Sequence, residues 1–384
     1  MDIIYKSCAG IDIHQDNVVV CVLNGPLTST RPKREERRFD TTTQGLKRLN
    51  EWLQSFNVEA IGMESTGVYW KPVWRALVDD FELILANPQR IKNIPGQKTD
   101  KQDAHWIAKL TRVGLIPRSF VPDLQIQELR DLTRQRKHYI ESRNKEKNRT
   151  HKILQTSGIK LTSFMKDIFG KSGRNLLNLL VNGEVITGEV IKRNVFTSLK
   201  RKVPHLLVAM DGYFSKHHRF MLKQSLETID TYDKLIMELE QEIDCRLAMY
   251  EQEIDILDSI PGIDRITAAV LIAEMGVDMS QFPTVNHLAS WAGLCPGNNE
   301  SSGKKKSSRI RKGNRYIKKC LTQAAFVASK REGTRYYSKY RRIQHRRGPQ
   351  KAVIAIAHDL LKTSYYLLSR QTLYQEPTTI KISA

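Results

Sequence analysis

The chain has 384 residues, 40% of them hydrophobic and 27% charged, which excludes both a single small core and wholesale disorder and predicts two or three domains. Its net charge is +21, and residues 301–350 hold seventeen Lys/Arg against one acid, Glu332, a one-signed field that fits a polyanion such as nucleic acid. No run of about 18 apolar residues is present to span a bilayer, the N-terminus lacks a signal peptide's apolar core, and five scattered cysteines form no CxxC pair. A reduced, cytoplasmic, nucleic-acid-associated protein is expected, with no membrane, structural zinc or disulfide framework.

Residues 1–115 alternate strand and helix signals. AGIDIHQDNVVVCVLN predicts strand, turn, strand, and a third strand is expected over Glu36–Asp40. A helix follows in TTQGLKRLNEWLQSF, then a buried strand in VEAIGMEST, a helix in VYWKPVWRALVDD and a strand in FELILANP. KTDKQDAHWIAKLTRVG predicts an amphipathic helix with Ile107 and Leu110 inward. Three early strands followed by alternating helices and strands predict a mixed sheet flanked by helices, an α/β domain over 1–120.

From about residue 124 the pattern becomes helical and basic. Residues 160–215 predict short helices divided by Gly and Pro. Leu222, Leu226, Ile229, Ile236, Ile243, Leu247, Tyr250, Ile254 and Leu257 follow near-heptad spacing, which predicts one long helix with a coiled-coil seam. That seam serves either self-association into a homo-oligomer (dimer or tetramer) or packing within the chain. The helical region is placed at 121–257, a mainly α C-terminal domain at 258–370 and a polar tail at 371–384. SIPGIDRITAAVLIAEMG has the form of a helix-hairpin-helix turn, whose helix-start N–H groups bind phosphate, or of an ordinary corner.

Four acids of the first domain stand out by position. Asp12 lies in the first strand and Glu64 at the end of a buried one. Asp100 and Asp103 are spaced i,i+3 at a helix start, which puts them on one helical face. Unpaired carboxylates at buried strand ends are costly, and a hard divalent cation, Mg²⁺ or Mn²⁺, offsets their repulsion. His14 and Asp16 read first as turn residues, and His105 as a group behind the acids.

The blocks GIDIHQD, GMESTGVYW and NPQRIKNIPGQKTDKQDAHWIAKL resemble the RuvC-like domain of DEDD-type insertion-sequence transposases, related to Piv-type DNA invertases. The block from IPGIDRITAAVLIAEMG to CPGNNESSGKKKSSRIRKGNRYIKKCLTQAA resembles the C-terminal domain of the same family. The resemblance implies an RNase H-like (RuvC-like) fold binding Mg²⁺ through Asp12, Glu64, Asp100 and Asp103. It also implies recombination of donor and target DNA guided by a structured bridge RNA. A catalytic serine in a Ser-x-Gly pattern is implied too, here Ser301 with Gly303, and Ser302 is its alternative. In such an enzyme Lys304, Lys305, Lys306, Arg309, Arg311, Lys312, Arg315, Arg341 and Arg342 neutralise phosphates. Tyr336, Tyr337 and Tyr340 either stack on bases or pack inward.

Two rival readings come from other classes. A RuvC-like hydrolytic junction resolvase uses the acids with water and needs no serine. A non-enzymatic nucleic-acid-binding protein accounts for the charge and leaves the acids unexplained.

Overall fold

The described residues of the computed structural model are 2–65, 67–88, 103–295, 299–301, 304–307, 310 and 312–377, and they form two compact units, 1–121 and 122–384. In the first unit, β1 (Ser7–Ile13) and β2 (Asn17–Asn24), rich in buried Val, Ile and Leu, and the charged β3 (Lys33–Asp40) form an antiparallel meander. After α1 (Thr43–Gln54), β4 (Ala60–Glu64) adds parallel to β1. After α2 (Trp70–Leu77), β5 (Glu82–Ala86) adds parallel to β4. The five-stranded sheet therefore has the order β3-β2-β1-β4-β5, the mixed sheet expected from the sequence. The third strand starts three residues earlier than expected, because Lys33–Asp40 is a charged edge strand in which only Phe39 is buried. Its charges are exposed at the sheet edge, where they discourage pairing with another chain.

Alternation assigns the sheet's two faces. Ala9, Ile11, Ile13, Val18, Val20, Ile61 and Met63 pack with Leu46, Leu49 and Leu53 of α1 and with Val73 and Leu77 of α2. Burial of each such side chain contributes about 1.5–3 kcal/mol. The opposite set, Cys8, Cys21, Ala60 and Ile84, meets the helix α3 (Asp103–Arg112) through Ala104, Ile107 and Ala108. The last residue of α3, Arg112, is buried with its guanidinium donating to the carbonyls of Tyr5, Gly25, Pro26 and Ser29.

The second unit is organised by two long helices. Helix α4 (Leu124–Thr156) starts at Asp123, whose carboxylate accepts from Ile126 N–H at 2.8 Å. Three short helices, α5 (Lys171–Asn182), α6 (Gly188–Asn194) and α7 (Val203–Ala209), close their own apolar cluster around Leu154, Leu176 and Leu206. Helix α8 (Lys216–Leu247) then runs antiparallel to α4. Arg246 pairs with Glu128 at 2.6 Å, Arg136 with Glu240, and Ser225 Oγ donates to Glu146 Oε1 at 2.6 Å.

This arrangement corrects the single long helix expected over 222–257. Helix α8 ends at Leu247, one 3₁₀ turn covers Ala248–Tyr250, and α9 (Glu251–Asp258) follows. The seam residues Leu222, Leu226, Ile229, Ile236, Ile243 and Leu247 are all buried inside the chain. Their heptad spacing is that of an antiparallel helix pair within the chain, closed by α4.

The remaining elements are α10 (Arg265–Met275), α11 (Val285–Trp291), the hairpin strands β6 (Asn299–Ser301) and β7 (Lys304–Ser307), α12 (Arg315–Ala328), α13 (Arg335–Arg347) and α14 (Pro349–Arg370). The PGI turn before α10 has Gly262 at φ +91°, and a Cβ there would lie 2.6 Å from Ala324 O on α12. The turn is thus packed on the chain's own helix. At the start of α10, the Asp264 carboxylate accepts from Thr267 N–H at 2.8 Å. An anion already caps that helix, which disfavours the phosphate-binding form of the turn. Among the described residues no helix is long and apolar enough to cross a membrane.

Candidate functional site

The strand register brings two of the four acids together. Gly10 and Gly62 are direct partners across the parallel β1–β4 ladder, followed by Ile11 and Met63. One residue further, the two strands reach Asp12 and Glu64, on chains that run about 4.8 Å apart in such a ladder. Both acids follow their glycine by two residues, so they share the sheet face that α3 covers.

The glycines explain how α3 reaches that end of the sheet. A Cβ at Gly10 would lie 2.2 Å from both Ala104 O and Ala108 N, and one at Gly62 would lie 2.2 Å from Thr111 Oγ1. The helix therefore lies directly on the strand backbones, running back along β1, since Cys8 Sγ contacts Ala108 O at 3.5 Å. Its first residue, Asp103, falls at the same end and on the same face as Asp12 and Glu64. The spacing Gly-x-Asp and Gly-x-Glu carried this signal in the sequence, and the sequence reading overlooked both glycines.

Asp12 is partly accessible, and its Oδ2 lies 3.1 Å from His14 Nε2, just past the strand end. His14 and Asp16 flank the β1–β2 turn, where His14 N–H donates to Asn17 O and Thr41 N–H to Asp16 O. His105 is held below the ordinary imidazole range, first by burial and then by Arg34 and Lys109. Asp100 lies outside the described residues. Among the described residues, no three His, Cys, Asp or Glu side chains are close enough to hold one metal ion. The oxygen donors of Asp12, Glu64 and Asp103 suit a hard cation such as Mg²⁺ in chemistry.

The second candidate region is the β6–β7 hairpin. Ser301 closes β6 opposite Lys304, and Glu300 pairs with Lys305. Lys306 also belongs to β7. Ser302, Gly303, Arg309 and Arg311 lie outside the described residues. Beyond the hairpin, Lys312, Arg315, Arg341 and Arg342 are exposed, while Tyr337 and Tyr340 are half-buried.

Of the two roles open to Tyr336, stacking on bases or packing inward, the structure shows the second. The residue is fully buried, its hydroxyl donates to Thr363 Oγ1 at 3.0 Å, and its ring stacks on Tyr374 at 6.1 Å between centroids. Burial also pushes its phenol above the ordinary range. With Arg335 over its ring as well, Tyr336 is a packing residue and has no face left for a base.

Comparison with known proteins defines the class. A transposase family model of the DEDD, IS110 type matches residues 9–158, and one of the transposase IS116/IS110/IS902 family matches residues 254–341. The first match contains the sheet with its acids, and the second contains the serine hairpin and most of α13. The chain belongs to the IS110-type DEDD transposases.

Similar proteins include the insertion element IS110 43.6 kDa protein of Streptomyces coelicolor, 31% identical over 133 residues, 34% of this chain and 32% of that protein. The insertion element IS900 42 kDa protein of Mycobacterium paratuberculosis is 31% identical over 155 residues, 38% of each. The matched stretch thus spans about a third of either insertion-element protein. The pilin gene-inverting protein of Moraxella lacunata is 24% identical over 377 residues, 94% of this chain and 96% of that protein.

Proposed function

We propose that this chain is a transposase that cuts and rejoins DNA strands of an insertion element, with its acids on an RNase H-like sheet and a serine nucleophile on the β6–β7 hairpin. The observation that carries the reading is the β1–β4 register, which puts Asp12 beside Glu64 at the end of the sheet where α3 begins with Asp103. Carboxylates gathered on one face at a sheet end are expensive without a counter-charge.

Asp12, Glu64, Asp103 and Asp100 would hold the divalent cation, Mg²⁺ or Mn²⁺. Such an ion, when bound, supplies Lewis-acid stabilisation of charge at a phosphodiester. The chain's own residues supply the rest. Ser301 is the proposed nucleophile and Ser302 its alternative. Attack by the hydroxyl oxygen forms a phosphoserine ester and expels a deoxyribose hydroxyl, so the bond is kept for rejoining. The serine proton passes to a base or solvent, and the departing oxygen takes one up. Lys304, Lys305 and Lys306 on β7 balance phosphate charge beside the serine.

The exposed Arg315, Arg341 and Arg342 extend the basic surface toward a nucleic-acid backbone. Donor and target DNA, with a structured guide RNA, are the proposed partners.

Mass spectrometry tests this reading directly. Incubation with element-end DNA and Mg²⁺ is expected to trap a DNA-linked peptide modified at Ser301 or Ser302. Asp12→Asn is expected to lower adduct formation by about 10²-fold or more. Full strand cleavage by the Ser301→Ala/Ser302→Ala double variant would instead establish water as the nucleophile.

A further inference from the structure

An acid lies fully buried in the second unit, and no step proposed above uses it. Glu274, on the apolar helix α10, is fully buried. Arg134 from α4 meets it with two parallel bonds, Nε to Oε1 at 2.7 Å and Nη2 to Oε2 at 2.8 Å. Arg130, one turn earlier on α4, donates to the carbonyls of Ala273 and Glu274 at 2.9 and 2.7 Å. Burial lowers the Arg130 guanidinium to about 10, which leaves it charged at neutral pH. The third partner is Asn314, whose Nδ2 donates to Glu274 Oε2 at 2.6 Å.

Asn314 stands where the serine hairpin returns to the body of the unit. Its Oδ1 accepts from Tyr316 and Ile317 N–H, capping α12, while its amide hydrogens face Glu274. Only a side chain that accepts on one side and donates on the other satisfies both demands. Aspartate in this place would set a second carboxylate against Glu274. Asn314 N–H also donates to Trp291 O at 3.0 Å, at the end of α11 where the hairpin segment leaves. The two ends cross so closely that a Cβ at Gly313 would lie 2.3 Å from Gly293 N. Tyr316, two residues on, carries the guanidinium groups of Arg134 and Arg315 and the ammonium of Lys137 over its ring at 4.4–4.9 Å.

We propose that the Arg134–Glu274–Asn314 clamp is a positioning device for the nucleophile hairpin, tying its base to helix α4 so that Ser301 is presented in one geometry. This rests on the serine reading above and assigns a role to three residues outside the acids and the hairpin. The physical case is that a buried carboxylate, a bidentate arginine and a neutral amide form a fully satisfied network. Such networks specify one arrangement far more sharply than apolar packing does. Capping alone would need only an oxygen at position 314.

The test is Asn314→Ser in the full-length chain, which keeps a capping oxygen and removes the amide donor to Glu274. Expected are a DNA affinity and a melting temperature close to the parent's, with Ser301/Ser302 adduct formation at least about tenfold slower in single turnover. Hydrogen exchange of peptides covering residues 293–314 is expected to rise in the same variant without DNA. Unchanged adduct rate and unchanged exchange would overturn the clamp while leaving the serine reading intact. A parallel collapse of melting temperature, affinity and rate would also overturn it, by showing a purely structural role. Failure of the parent chain to form any adduct would overturn the serine reading, and the clamp with it.

Discussion

At the residue scale, two glycines and one tyrosine carry the tightest expectations. A methyl group at Gly10 would meet backbone atoms of α3 at 2.2 Å, and backbone cannot rotate aside as a side chain can. Gly10→Ala is therefore expected to cost about 2–3 kcal/mol by overpacking, read as a lower urea midpoint at unchanged slope. Because α3 also brings Asp103 to the acids, the residual folded protein is expected to lose divalent-cation affinity, measured by calorimetry. At Tyr336, removal of the hydroxyl leaves Thr363 short of one partner. Tyr336→Phe is expected to cost about 1 kcal/mol of stability and to leave nucleic-acid affinity unchanged. If affinity fell several-fold at unchanged stability, the packing role would be wrong.

At the scale of elements, the antiparallel α4–α8 pair decides what the heptad seam does. Ile229 and Ile236 are buried within the chain, so Ile→Ala at either position is expected to cost about 2–5 kcal/mol. The loss should be the same at every protein concentration, as folding within one chain requires. A melting temperature that rose with protein concentration through this seam would contradict the arrangement. The heptad spacing was legible in the sequence because it depends only on residues a few positions apart. The partner was not, because α4 lies about a hundred residues upstream and its own apolar stripe is masked by arginines and lysines. Those basic residues meet acids of α8, as Arg136 does Glu240 and Arg143 does Asp233, so their charge was read as surface when part of it is interhelical.

At the scale of the whole molecule, charge and the division of labour between the two units dominate. The surplus of +21 predicts that nucleic-acid affinity falls steeply with salt, log K dropping about 0.7–0.9 per phosphate contacted for each decade of salt. Arg341→Ala/Arg342→Ala is expected to lower that slope by about 1–2, measured by titration at several ionic strengths. Asp12, Glu64 and Asp103 belong to the first unit and Ser301 to the second. Mixing an Asp12→Ala chain with a Ser301→Ala chain therefore asks whether protomers share a site. Recovered activity is expected for a site shared across an oligomer, and none for a site complete within one chain.

Local pattern by itself determined the mixed sheet, the helix bearing Asp103, the one-signed basic field and the candidate acids. Each depends on side-chain periodicity or composition that neighbouring residues express together. Tertiary structure decided the rest, because those outcomes depend on which distant segment covers a surface. It buried Tyr336 against Thr363 and Tyr374, closed the heptad seam with α4, and gave Gly10 and Gly62 their role beneath α3. It also set Glu274, an acid in an otherwise apolar helix, between two arginines and the asparagine at the foot of the serine hairpin. A carboxylate in such a place is tolerable only when its partners arrive from elsewhere in the chain, and sequence spacing alone does not reveal them.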